Sequence, residues 1–163
     1  MARFEDLRRE APAVAETVER FLRARVHHTL ATLRPDGSPR ISGTEVLIAH
    51  GDLWLGSMWH SPKARDLMRD GRYALHGGSD DPPAWGGDVK VAGRAEVVDD
   101  PEVVAAVMAT RPGGEIEPAP VRFHMFRLEI AEAVTLALPD PPEHLLATTW
   151  REGRGVVVRH LDP

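Results

Sequence analysis

Leu53-Trp-Leu-Gly-Ser-Met-Trp-His-Ser-Pro-Lys-Ala-Arg-Asp-Leu-Met-Arg-Asp-Gly-Arg-Tyr-Ala-Leu75 reads as an apolar strand, a sharp turn and a short helix whose first turn carries a hydroxyl and a cation. Ser61 before Pro62 is a helix start. A serine oxygen accepts from free first-turn N–H groups, and a proline at the first helical position gives up only an N–H that had no partner. Ala64, Leu67 and Met68 fall at i, i+3 and i+4 and form one apolar face; Gly71 stops the helix. Lys63 stands in the first turn, where the helix dipole disfavours a cation. A phosphate held by the free N–H groups resolves that mismatch. The competing reading is an ordinary capped helix with a solvated lysine.

Length and charge narrow the class. At 163 residues the chain suits one domain, 1–163, with a core of its own. No run of about 18 apolar residues occurs, so no membrane span is expected. The first ten residues carry both signs of charge, unlike a signal peptide, and the expectation is a cytoplasmic protein. With no cysteine there is no thiolate nucleophile, disulfide framework or zinc thiolate site, so redox chemistry would need a borrowed cofactor. The net charge of −5 and the scattered lysines and arginines argue against a nucleic-acid partner. Fourteen glycines and 14 prolines sit between short apolar runs, the composition of a turn-rich antiparallel β protein.

Residues 1–25 read as a helical arm: Val14, Val18, Phe21 and Leu22 share one face, while Pro12 marks a start or kink and leaves the first ten residues looser. His28–Leu33, the Pro35-Asp-Gly37 turn and Arg40–Ala49 read as a hairpin. Gly43 inside its second strand marks a place where a ligand or another backbone comes close. Arg72–His76 and Val89–Val98 are further strands, joined by a loop whose one large apolar residue is Trp85. Small residues at Gly93 and Ala95 suit a barrel interior or a close subunit contact. Asp100-Pro101-Glu102 opens a helix that buries Val103, Val104, Val107 and Met108. A loop containing Pro118 and Pro120 leads to a long strand, Arg122–Leu138, with a bulge expected at Ile130–Val134. The turn at Pro139–Pro142 opens a C-terminal hairpin, 139–163. Short strands without parallel crossovers are most economically closed into a barrel, which removes exposed edges.

No dinucleotide fingerprint, Walker loop, nucleophile elbow or His-Glu-x-x-His helix occurs. Eight histidines raise the question of a metal, but no pair shares a helix face at i, i+4, and no metal site is assigned.

The order of the Pro-Asp-Gly-Ser-Pro turn, the Arg-Ile-Ser strand, Leu-Trp-Leu-Gly-Ser, Ser-Pro-Lys-Ala-Arg-Asp-Leu, Val-Lys-Val-Ala-Gly-Arg-Ala-Glu-Val and Asp-Pro-Glu resembles the pyridoxamine 5′-phosphate oxidase-like FMN-binding split barrels, over roughly residues 26–111. The resemblance implies a mainly β fold: an antiparallel six-stranded split β-barrel of Greek-key type with two to three covering α-helices. It also implies a homodimer with FMN at the interface, acting as a flavin-dependent oxidoreductase on a small-molecule substrate. By position, Arg40, Ile41, Ser42, Gly43 and Thr44 lie along the flavin ring, Gly56 and Ser57 end the third strand beside it, and Ser61 and Lys63 contact the phosphate. Asp88 stands where the oxidases carry an amide side chain near the flavin, and an ionised carboxylate cannot donate the same hydrogen bond. The oxidases' substrate-binding Arg-x-His is replaced by Trp150-Arg-Glu-Gly-Arg154, which argues against vitamin B6 phosphate oxidation. Related split barrels hold an 8-hydroxy-5-deazaflavin coenzyme in the same groove, for which Arg40, Arg65 and Arg69 are the candidate partners of an acidic tail. A flavin-binding protein without turnover and a split barrel that has lost its ligand and persists as a dimeric scaffold are the remaining alternatives.

Overall fold

The architecture turns on Glu45 and Val46. The run expected as one strand, Arg40–Ala49, changes partner at these two residues and becomes β2 (Pro39–Thr44) and β3 (Leu47–Ala49). β2 pairs with β1 (His28–Leu33), whereas β3 pairs with β4 (Asp52–Met58). With β5 (Arg72–His76), β6 (Asp88–Val98) and β7 (Phe123–Ala137), the order is β2-β1-β5-β6-β7-β4-β3, every neighbour antiparallel. β2 and β3 are thus opposite edges of one path, yet three peptide units of chain from Thr44 to Leu47 reach at most about 11 Å. The path must therefore roll until its edges meet. No ladder joins them among the described residues, and the barrel is split at this seam. This computed structural model describes residues 1–111, 122–139 and 144–161. The loop of Pro118 and Pro120, and most of the turn read at Pro139–Pro142, lie outside them.

A branch leaves the barrel at the far half of β7, which pairs with β8 (Leu145–Arg151), which in turn pairs with β9 (Gly155–Leu161). The described residues form nine strands and four helices, an antiparallel split barrel as expected, with the β8–β9 branch and one helix added to it. The helices are α1 (Phe4–Glu10), α2 (Pro12–Ala24), α3 (Pro62–Arg69) and α4 (Pro101–Met108). The additional helix is α1. In place of a loose arm, Phe4 and Leu7 are fully buried, Ala2 bridges to Ile130, and the Arg3 guanidinium pairs with the buried Asp52 carboxylate. Pro12 then restarts the helix, as a first-turn proline can. The inward faces of β4 and β7 (Leu53, Leu55, Phe126, Leu128, Ile130) form one core with Val18 and Leu22 of α2 and Ala64 and Leu67 of α3. Trp54, Ala49 and Met125 on the other face pack against Val107 of α4. Val107 is that helix's one fully buried residue, and Val103 faces solvent.

The expected bulge is present. Ala92 pairs with Glu132 and Gly93 with Ile130, so Ala131 is the extra residue. Gly93 sits at that irregularity, where a Cβ would lie 1.9 Å from the Glu129 carbonyl oxygen. Gly71 is likewise a close-approach residue and not a helix stop. A Cβ would meet the Ala95 carbonyl oxygen at 2.6 Å, while Asp70 caps α3. Among the described residues no helix is long and apolar enough to cross a membrane.

Candidate functional site

The corner where β4 ends and α3 begins lies beside the barrel seam. Its local chemistry is as the sequence demands: Ser61 Oγ accepts from the Ala64 N–H at 3.3 Å, Pro62 occupies the first helical position, and Ala64 and Leu67 are buried. Met68 is exposed, and the inward place is taken by Asp66. This carboxylate, 2 % exposed, accepts from Thr32 Oγ1 at 2.9 Å, Arg40 Nε at 2.6 Å and Arg69 Nη1 at 3.3 Å. Burial pushes the Asp66 carboxyl up, but the hydrogen bonds from Arg40, Thr32 and Arg69 outweigh it and hold it below the usual carboxylate range. The network ties α3 to β1 and β2.

Above it, Ser57 Oγ and Ser61 Oγ are 2.8 Å apart, and Lys63 Nζ donates to the Gly43 carbonyl at 2.7 Å. The fold thus brings together Gly43, Gly56, Ser57, Ser61 and Lys63 from three separate elements. Burial lowers the Lys63 ammonium below its ordinary value, with Glu45 opposing. A cation held against a carbonyl and two adjoining hydroxyls at a helix start can take an anion without losing a charge partner.

The remaining predicted positions divide by strand face. Arg40, Ser42 and Thr44 are partly or fully covered, whereas Ile41 and Gly43 face outward. Across the sheet, Gly43 is level with Thr29, Thr29 with His76, and His76 with Lys90. Asp88, bonded to Lys90 Nζ at 3.0 Å and 3.4 Å from His76 Nε2, therefore lies on the row's far side. Lys90 is three strands, about 14 Å along the sheet, from Gly43, and Asp88 is two residues further along β6. Among the described residues no hydrogen bond or ion pair joins Asp88 to the Ser57–Lys63 corner. Of the three arginines considered for an acidic tail, Arg40 and Arg69 are committed to Asp66, and only Arg65 has no side-chain partner among the described residues.

Glycines in the strands and at their starts separate into two kinds. At Gly71, Gly87 and Gly93 a Cβ would strike backbone within 2.6 Å, so the fold requires glycine. Gly43 and Gly56 lie inside strands without positive φ, and nothing comes within 4 Å of a built Cβ. An interior strand glycine weakens a sheet. At these two positions no protein atom accounts for that cost, and both border the corner.

His124 was not singled out by the sequence reading, though alternation from Phe126, Leu128 and Ile130 points it inward. It pairs with Ser57 in the β4–β7 register and is stacked on Trp59, with ring centroids 4.2 Å apart and planes 11° from parallel. Its Nε2 is buried without a partner. Burial, and secondarily His60, push the His124 imidazole down, so it is held neutral. His60 adopts a left-handed φ of 52°, which aims the turn into α3.

A groove of about 510 Å³ lies beside Arg8, Pro12 and Arg20, and one of about 330 Å³ lies beside Val26, Arg111 and the Glu45–Val46 crossing of the seam; neither is lined by Ser57, Ser61 or Lys63. On a single chain the corner is an open shelf. Beside it Ile41, Met58, Trp59 and Phe123 are exposed, with Met58 and Phe123 paired across β4 and β7.

Fold and site together define a split antiparallel barrel with Ser57, Ser61 and Lys63 gathered at its seam. The chain belongs to the pyridoxamine 5′-phosphate oxidase family, whose model matches residues 14–137. Solved structures share the fold. PhzG from Burkholderia lata 383, in complex with tetrahydrophenazine-1-carboxylic acid, is 18% identical, covers 94% of this chain and 93% of its own, and has a TM-score of 0.66. A pyridoxamine 5′-phosphate oxidase-related, FMN-binding protein from Nostoc punctiforme PCC 73102 is 16% identical over 94% and 96%, with a TM-score of 0.63. The conserved hypothetical protein Rv2991 from Mycobacterium tuberculosis is 23% identical over 74% and 82%, with a TM-score of 0.61. No curated protein matches the sequence.

Proposed function

We propose that the protein is an FMN-dependent oxidoreductase acting on a small molecule, with the cofactor bound between two copies of the chain in the cytoplasm. The observation that carries this is the pairing of a phosphate-ready corner with strand glycines the fold itself does not need. Ser57, Ser61 and Lys63 hold the phosphate, and their hydroxyl and ammonium donors fit a dianion. The outward backbone of Ile41–Gly43 accepts the flat ring, because a side chain at Gly43 would occupy that space. Bound FMN supplies hydride exchange, and no side chain of this chain needs to make or break a bond. His124, stacked on Trp59 and level with Ser57, walls the corner.

A second copy would supply the missing wall. Exposed Ile41, Met58, Trp59 and Phe123 form an apolar surface beside the shelf of the kind that is usually covered by a partner. Vitamin B6 phosphate is not the favoured substrate. Trp150 is fully buried and Arg151 pairs with Glu132, so the stretch standing in for the oxidases' substrate element serves the β8–β9 hairpin.

The test is the colour and mass of the purified protein. Absorption at about 450 nm, with one FMN per chain in a dimer, is expected for the oxidised flavin. A band near 420 nm, or a colourless monomer that does not take up FMN, would overturn the assignment.

A further inference from the structure

The β8–β9 hairpin stands away from the barrel, and all seven residues of β9 are exposed. Its turn end is fastened, because Trp150 is buried in the core and Glu152 N–H donates to the Ala131 carbonyl. Its open end carries two imidazoles. Leu146 pairs with His160, so His144, two residues before Leu146, sits diagonally from His160 on the same side of the ribbon. His160 Nδ1 and His144 Nε2 are 2.8 Å apart, the ring centroids 4.6 Å apart and the planes tilted by 41°. Among the described residues neither ring is paired with a carboxylate, and neither belongs to the flavin corner.

We infer that His144 and His160 form a two-imidazole site for a divalent first-row transition ion of the nickel, copper and zinc class. Imidazole suits these ions, whereas magnesium and calcium require oxygen ligands. Two nitrogens each bonded at about 2.0–2.1 Å to one such ion sit roughly 3 Å apart when adjacent, so the ring nitrogens need move only slightly to admit it. Two protein ligands leave the other positions to water. The ion would close the end of the hairpin that the core does not hold. The arrangement was hidden in the sequence because the two histidines are 16 positions apart and meet only once the hairpin register is fixed.

The alternative is a plain imidazole–imidazole hydrogen bond, and calorimetric titration of the tag-free chain with nickel chloride separates the two. Expected are one ion per chain, loss of that heat in both His144→Gln and His160→Gln, and no heat from magnesium chloride. Both substitutions lie outside the buried core, so circular dichroism should match the parent. No nickel binding by the parent, binding that survives either substitution, or equal binding of magnesium would each overturn the site. The result does not depend on whether flavin binds.

Discussion

Alanine at two strand glycines is expected to push stability in opposite directions. Gly43 lies mid-strand in β2, exposed and at an ordinary φ, and its built Cβ meets nothing within 4 Å. Relative to alanine such a glycine costs about 0.5–1 kcal/mol of backbone entropy. Gly43→Ala should therefore stabilise the flavin-free protein by that amount, a rise in Tm of about 1–4 °C for a chain of this size. At Gly93 the added carbon would lie 1.9 Å from the Glu129 carbonyl oxygen and 3.0 Å from the Ala131 nitrogen. These are backbone atoms at a bulge and cannot swing aside, so Gly93→Ala should cost at least about 1–3 kcal/mol. Flavin affinity is the third readout. If the ring lies on β2, a side chain at Gly43 intrudes on it, and Gly43→Val should weaken FMN binding by at least about tenfold, or 1.4 kcal/mol. Thermal melts of flavin-free protein and quenching of FMN fluorescence supply the numbers. A Gly43→Ala protein that melts below the parent, or a Gly43→Val protein with the parental Kd, would show that the glycine serves the fold and not a ligand.

Lys63→Ala should weaken FMN binding by about 1.5–3 kcal/mol, the range for a hydrogen bond to a charged group; an unchanged Kd would remove the phosphate from this corner. Asp66→Asn should lower stability by about 1.5–3 kcal/mol in urea unfolding, because Arg40 and Arg69 lose a charged acceptor. The Asp66 carboxyl titrates below its unfolded value, so its contribution is present above that value and fades as pH falls through the folded one. The loss of stability between pH 7 and pH 3, taken as approximate bounds, should accordingly be smaller in Asp66→Asn than in the parent. Burial pushes the imidazoles of His28 and His124 down, so the unfolded chain takes up their protons first as pH falls. The urea midpoint should drop between about pH 7.5 and 5.5, across the ordinary histidine range, and a midpoint that rose would contradict the burial of both rings.

Short-range chemistry was legible in the sequence, and partner choice was not. Ser61 and Pro62 announced α3, Asp100 and Pro101 announced α4, and the break in alternation after Ile130 announced the bulge, because each rests on atoms within a few residues. The division of Arg40–Ala49 into two edges could not be read that way. Thr44, Glu45 and Val46 are unremarkable strand residues, and only the competition between β1 and β4 for their neighbours decides where the chain crosses the seam. The inward turn of Asp66 escapes local reading for a related reason: helical spacing assigns the place to apolar Met68, whereas Thr32 and Arg40, from strands more than 25 residues away, supply the hydrogen bonds that allow a carboxylate to be buried there. Gly43 shows what local reading can and cannot deliver. Its presence in a strand signals a close approach, whereas Gly71 reads only as a helix stop, and the folded chain alone separates a glycine pressed by its own backbone from one facing open space. That separation turns a list of plausible cofactor contacts into a claim about one surface. On the proposed reading, the seam where β2 parts from β3 offers the Gly43 carbonyl to Lys63, the bare backbone of Gly43 to a flat ring and the paired hydroxyls of Ser57 and Ser61 to a phosphate.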